Sequence, residues 1–397
     1  MKQKIVYAAV IVFSVLFLFI GNLVTSRGTS QGEGDDLSFY SGVVTQIVDR
    51  VVSDQFGFVN TTIYFQARIS SGQRRGEVVY GEQHKSDFFI LETREIEAGD
   101  RIMLVHDPFG QQFFFAEFIR INTIAIMGVA FLVLVILFGR IKGLNAIVAL
   151  GFTCMAVFLV FVPAILAGMN IYVATIIVCI YSIISTLLIV IGPNKKALSA
   201  MLGCFGGVLI AGVLMLAMGS ILELTGLVDQ ETQVLLMLEN PIDLRAIIFA
   251  GVILGAVGAI MDVAMSIASS LWEIREAGGV SDFGSLVKSG ITIGKDILGT
   301  MLNTLILAYI GSSLSLILLI NVHTTSYLEL FNMEFIVVEF LRALVGSFGM
   351  FLTIPLTAGV CGWLYSIREI FPPEPDNTDE FYEDYYRRNM REAARKS

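Results

Sequence analysis

The chain has 397 residues, 55% of them hydrophobic and only 15% charged, with a mean hydropathy of +0.76. That composition excludes a water-soluble globule and implies a polytopic protein whose main partner is the lipid bilayer. The net charge of -9, gathered in polar connecting segments and in the tail, speaks against nucleic acid as a partner.

The first apolar run, residues 5–24, follows Lys2 and Lys4. Roughly twenty uncharged residues suffice to cross a ~30 Å hydrocarbon core. The run is longer than the ~7–15 residue core of a signal peptide and shows no small-x-small cleavage site, so residues 1–31 are expected to be an uncleaved signal anchor with a cytoplasmic N-terminus.

Residues 32–120 change character. Apolar and polar residues alternate over 39–48, 63–69, 78–80, 88–91, 101–105 and 112–118, the period-two pattern of half-buried strands. Turn-forming residues lie between them at 70–72, 98–100 and 107–110. About six short strands imply a small all-β barrel or sandwich, extracytoplasmic and inserted between the first and second membrane helices.

Residues 121–370 hold about seven more apolar spans, near 121–139, 144–166, 171–192, 198–222, 246–272, 297–320 and 336–367. The fold class is therefore a membrane all-α bundle of about eight transmembrane helices carrying the β-domain. The uncharged stretch 143–194 is too long for one helix and divides at Gly168-Met169-Asn170, after Pro163. Lys and Arg in short loops favour the cytoplasmic side. Arg140, Lys142, Lys195, Lys196, Arg275 and Lys288 fall in the proposed inner loops, while the loops around Met169 and His323 contain no Lys or Arg. Both termini are then cytoplasmic in a bacterial cell membrane. Residues 278–296 mix apolar and polar positions at helical spacing and read as an amphipathic interfacial helix. Residues 371–397 read as a cytoplasmic polar tail.

Within the span 246–272, Gly251, Gly255, Gly258, Asp262, Ser266 and Ser269 recur every three or four residues and share one narrow helical face. Two readings follow. The glycines form a packing seam with Asp262 hydrogen-bonded to the serines or to a partner helix, or Asp262 faces a polar pathway where it binds a proton, cation or substrate. On the next span, Asp296, Thr300, Asn303 and Thr304 fall on one side and can supply polar groups to the same pathway; Lys295 snorkels to water, and Asp296 reads equally as an interfacial charge that does the same. Glu339 and Arg342, three residues apart, read as a local ion pair, and Pro355 as the site of a kink. Cys154, Cys179, Cys204 and Cys361 lie in apolar segments and serve as small hydrophobes.

Enzyme signatures are missing. His84, His106 and His323 form no H-E-x-x-H pair, and there is no G-x-x-x-x-G-K-[ST] loop. No enzyme activity, cofactor or metal is expected.

Two blocks identify a likeness. Gly258-Ala259-Ile260-Met261-Asp262-Val263-Ala264-Met265-Ser266-Ile267-Ala268-Ser269-Ser270 with Glu273, and Gly294-Lys295-Asp296-Ile297-Leu298-Gly299-Thr300-Met301 with residues 303–309, resemble the hallmark segments of the YibE/F family of bacterial membrane proteins. The resemblance covers residues 139–367 and implies a multi-pass protein of the cytoplasmic membrane, without implying an activity. The residues themselves favour an ion-coupled, proton-linked permease for an unknown small solute or ion. The competing expectation is a non-transporting scaffold whose β-domain binds an extracytoplasmic protein or envelope component. Either form could assemble as a homo-oligomer.

Overall fold

The computed structural model describes residues 2–26, 38–55, 58–86, 94–107, 112–228, 230–236, 242–277, 282–315, 317–318 and 326–366. The expectations for residues 88–91, 108–110, His323 and the tail 371–397 lie outside these. The chain divides into two compact units, residues 30–143 and residues 1–29 with 144–397.

In the first unit, five strands, β1 (Ser38–Gln55), β2 (Phe58–Ile69), β3 (Val78–Ser86), β4 (Arg101–His106) and β5 (Phe113–Phe118), close into a barrel in the order β1-β2-β3-β5-β4. All neighbours are antiparallel except β3 and β5, which pair in parallel at Gly81 with Phe113 and Glu82 with Phe114. Closure depends on β1. Its first residues pair with β4 while its length pairs with β2, and register shifts at Val44/Gln46 and Ile47/Asp49 mark bulges that bend a strand between two partners. Alternation places Val44, Ile63, Phe65, Ile69, Ile102 and Leu104 inside, each almost fully buried. Gly81 makes room for the Phe65 ring, whose Cζ would stand 2.7 Å from a Cβ there. Buried Gln83 is satisfied at both ends: its Nε2 donates to Arg94 O at 3.0 Å, and its Oε1 accepts from Ile96 N–H at 3.1 Å.

The chain leaves the barrel into α2 (Ile121–Ala156), broken at Arg140, where φ is 47° and ψ is -127°. A non-glycine residue in that conformation is strained, so two predicted spans meet there as one interrupted helix. Residues 121–134, on the barrel side of the break, are all exposed.

The second unit holds α1 (Lys2–Ser26), the continuation of α2 from Leu144, a π-turn (Val157–Phe161), α3 (Val162–Leu166), α4 (Ile171–Val190), α5 (Lys195–Ile221), α6 (Gln230–Leu236), α7 (Leu244–Glu276), α8 (Phe283–Ser312), α9 (Tyr327–Asn332) and α10 (Glu334–Ser366). Pro163 cannot donate into the helix, and the π-turn before it lets Val162 N–H bond to Val157 O. The predicted division at Gly168 is present. Gly168 adopts φ +79° and ends α3, and Asn170 then caps α4 by accepting from Val173 N–H at 3.2 Å. Asn194, Asp243 and Asp282 cap α5, α7 and α8 in the same way. α10 runs unbroken through Pro355.

The expectation of a separate interfacial helix over residues 278–296 is corrected in its described part. Residues 283–296 are not a separate helix lying on a surface but the first half of α8, which is continuous to Ser312. The reason is packing. Leu286, Gly290 and Gly294 are buried, and a Cβ on Gly290 would lie 2.8 Å from Ala358, one on Gly294 against Ile354. Small residues let α8 approach α10 backbone to backbone, so an amphipathic-looking segment is drawn into the bundle.

α7 is the central helix, touching α4, α5, α8 and α10. Ile260, Val263, Ala264, Ile267 and Leu271 of α7 are fully buried with Cys204 and Ala211 of α5 and Met350 and Cys361 of α10. α5 and α10 meet at Gly203 against Thr357 and at Gly207 against Thr353 and Ile260. At the start of α10 the Glu334 carboxylate accepts from Thr225 N–H at 2.7 Å, Thr225 Oγ1 at 2.6 Å and Gly226 N–H at 2.6 Å, pinning the loop after α5.

Seven helices or helical stretches among the described residues are long and apolar enough to cross a membrane. The 46-residue stretch Ile121–Leu166 counts as one of them and contains two of the spans expected from sequence.

Candidate functional site

At ~100° per residue the stripe from Gly251 to Ser269 occupies about 80° of the α7 circumference, and the buried residues Ile260, Ala264, Ile267 and Leu271 lie opposite. The burial pattern agrees. Gly251, Gly255, Gly258 and Asp262 are exposed, and Ser266 and Ser269 half-buried. A Cβ added to Gly251 or Gly258 would meet nothing within 4 Å, and one on Gly255 would meet Tyr309 Oη at 3.3 Å. Within one chain, therefore, the stripe is open along most of its length. Asp262 lies near the midpoint of α7, and among the described residues its carboxylate makes no ion pair and no hydrogen bond to Ser266 or Ser269.

α8 presents its polar residues away from the core as well. Asp296, Thr300, Asn303 and Thr304 are exposed, as is Lys295. The Thr300 and Thr304 hydroxyls donate to Ile297 O and Thr300 O on their own helix, each at 3.0 Å. No described hydrogen bond joins Asp262 to Asn303 or Thr304. What ties the stripe to α8 is Tyr309, which reaches over Gly255 and stands 3.7 Å from a Cβ placed on Gly346 of α10.

Tyr309 leads to a second polar group. It lines a cavity of about 300 Å³ between α8 and α10 together with Glu339 and Ser347. Arg342 Nη1 donates to Glu339 Oε1 at 2.7 Å, the i,i+3 pair read from sequence. Glu339 Oε2 is buried and unpartnered among the described residues. A metal site is not formed by the described His, Cys, Asp and Glu side chains.

A profile of the family described as YibE/F-like protein matches residues 127–367. The chain belongs to the YibE/F-like family. Neither the curated proteins nor the solved structures compared with it give a match. The family and the apolar helices together point to a membrane protein, and both blocks quoted above lie inside the matched region.

Two features of this YibE/F-like chain escaped sequence reasoning. Tyr309 enters the sequence reading only as the last residue of the second family block and is given no role there; its usable signal is position, six residues beyond Asn303 and on a span otherwise apolar there. Lys195 was placed in a loop by its charge. It is instead the first residue of α5, only 3% exposed, with Nζ 3.4 Å from Leu364 O near the end of α10. Beside it, Tyr365 Oη donates to Ala268 O at 3.0 Å and joins α10 to α7.

Proposed function

We propose that this protein is an ion-coupled permease of the cell membrane, with both termini cytoplasmic and the barrel outside, in which Asp262 exchanges a proton while Ser266, Ser269, Asp296, Thr300, Asn303 and Thr304 offer polar contacts to the passing species. One observation carries the reading. Asp262 stands at the middle of a 33-residue apolar helix, on the exposed stripe opposite the core-facing residues, with no hydrogen-bond or ion-pair partner among the described residues for its carboxylate. A charged side chain at that depth costs about 3 kcal/mol on insertion scales. A packing role would recover that cost through hydrogen bonds, and none is found among the described residues. Water or a passenger ion in contact with the open face would recover it instead.

The test is proton flux. In proteoliposomes with an imposed pH gradient and a pH-sensitive dye, the wild type should conduct protons, and Asp262→Asn should abolish the flux while inserting equally well. Wild-type flux in the Asn variant would remove the proposal.

A second reading has its own observation. On the outward side of β2 and β3, Tyr64 and Tyr80 are 41% and 67% exposed and lie diagonally across the pair formed by Gln66 and Tyr80. Exposed aromatic residues at that spacing suit recognition of a partner. In a scaffold that works through the barrel alone, Asp262→Asn is silent.

A further inference from the structure

We propose that the cavity at the foot of the barrel holds the headgroup of an anionic phospholipid. This rests on the membrane placement of α2 proposed above and is independent of transport. The cavity, of about 580 Å³, lies wholly within the barrel unit, in the range of pockets that take small organic groups. Ile119 N–H donates to Arg101 O at 2.9 Å, and α2 begins two residues later, so the cavity sits where the chain passes from barrel to membrane helix.

Its lining has two chemistries. Arg101, Ser41, Ser70 and Asn122 are its polar residues, the Ser41 and Ser70 hydroxyls standing 3.2 Å from each other; Phe39 and Ile121 are apolar and are 60% and 65% exposed. Arg50, Arg74, Lys85, Arg94 and Arg120 of the same unit each pair with a carboxylate. Arg101, like Arg68, Arg75, Arg140 and Lys142, pairs with none among the described residues, and of these five it is the one that lines the cavity. An arginine sharing one cavity with hydroxyl and amide side chains matches a phosphodiester, to which arginine can donate two parallel hydrogen bonds. Large apolar side chains exposed beside it, at the first turn of a membrane helix, match the upper part of an acyl chain. A soluble phosphate would satisfy the first set and leave the second in water. Charge and apolar rim together select a lipid of net negative charge.

The experiment uses the full chain in neutral detergent, with phosphatidylglycerol or phosphatidylcholine added and retained lipid read by native mass spectrometry. Wild-type protein should retain phosphatidylglycerol over phosphatidylcholine by roughly tenfold, the scale of one charge-assisted contact. Arg101→Gln should bring the ratio close to one, whereas Arg50→Gln, on the far part of β1, should leave it unchanged. Phe39→Ser keeps every strand hydrogen bond and should lower retention of either lipid roughly threefold; it decides the matter if circular dichroism shows that Arg101→Gln has lost the barrel. Equal retention of the two lipids by the wild type, an unchanged ratio in a folded Arg101→Gln protein, or unchanged retention in Phe39→Ser overturns the proposal. So does displacement of the lipid by millimolar inorganic phosphate, which would make this a site for a free anion. Release of the protein from membranes by alkaline carbonate would instead defeat the membrane reading on which the lipid assignment rests.

Discussion

The glycines of α5, α8 and α10 and those of α7 are the same residue type put to opposite uses. Gly203, Gly207, Gly290, Gly294 and Gly349 are filled from across the seam, so that a single added carbon would collide with Thr357, Thr353, Ala358, Ile354 or Ala211. Gly251 and Gly258 look onto space. Spacing of three and four residues is common to both sets and does not distinguish them. The distinction lies in what accompanies the glycines. Around the seams the neighbours are aliphatic side chains and threonines, Thr353 bonding to the carbonyl of Gly349 at 2.7 Å. On α7 the companion is a carboxylate, which a dry contact could hold only with partners supplied.

The largest effect that would test this contrast is expected at Gly207. Gly207→Leu forces a branched side chain between Thr353, Ile260 and the backbone of Gly349, and overpacking of that kind costs about 3 kcal/mol or more. The variant should be lost to aggregation or proteolysis on extraction, with its thermal transition lowered or absent. Gly251→Leu should change the same transition by no more than about 0.5 kcal/mol, as for exposed positions generally. Equal damage at the two sites would break the contrast and mean that a second copy packs on the α7 stripe.

A smaller effect sharpens it without changing bulk. Cys204 and Cys361 are buried in the seams, Cys179 is buried as well, and Cys154 is exposed. In a Cys154→Ala background, Ser266→Cys should react with a membrane-impermeant polar maleimide at least about tenfold faster than the three native thiols, since reactivity follows access to water and thiolate character. Labelling of the new cysteine as slow as that of Cys204 would mean that no water reaches the stripe, and would favour the scaffold reading.

Much of this architecture is legible in the sequence, and the losses have physical reasons. Strands β1, β2, β4 and β5 and the start of β3 follow from period-two alternation, a local property. The parallel pairing of β3 with β5 does not, because register between distant strands is fixed only when the barrel closes over Phe65 and Leu104. The turn at Gly168 announces itself by a proline, a glycine and a capping asparagine within eight residues. The first half of α8 misleads because Gly290 and Gly294 depress its apparent hydrophobicity at the positions that pack most closely. Lys195 misleads for the converse reason: a charge normally marks a loop, and here it is buried in a helix with its Nζ beside Leu364 O of α10. Asp262 is conspicuous by its cost alone, but which way it faces depends on helices far away in the chain.

The smallest expected change is at Gly255, where the two uses of glycine meet. Alanine there gains about 0.5–1 kcal/mol from the lower entropy lost on helix formation. Its Cβ would sit 3.3 Å from Tyr309 Oη, tighter than ordinary contact, so the ring must yield by a few tenths of an ångström. The two terms oppose each other, and Gly255→Ala should leave the thermal transition within about 0.5 kcal/mol of wild type. Flux need not follow stability. If Tyr309 couples the α7 stripe to the Glu339–Arg342 pair, displacing its hydroxyl should slow proton flux in a protein of unchanged stability, and Tyr309→Phe should slow it further. If both variants conduct as the wild type does, Tyr309 only fills space between α7, α8 and α10, and the open face ends at Gly255.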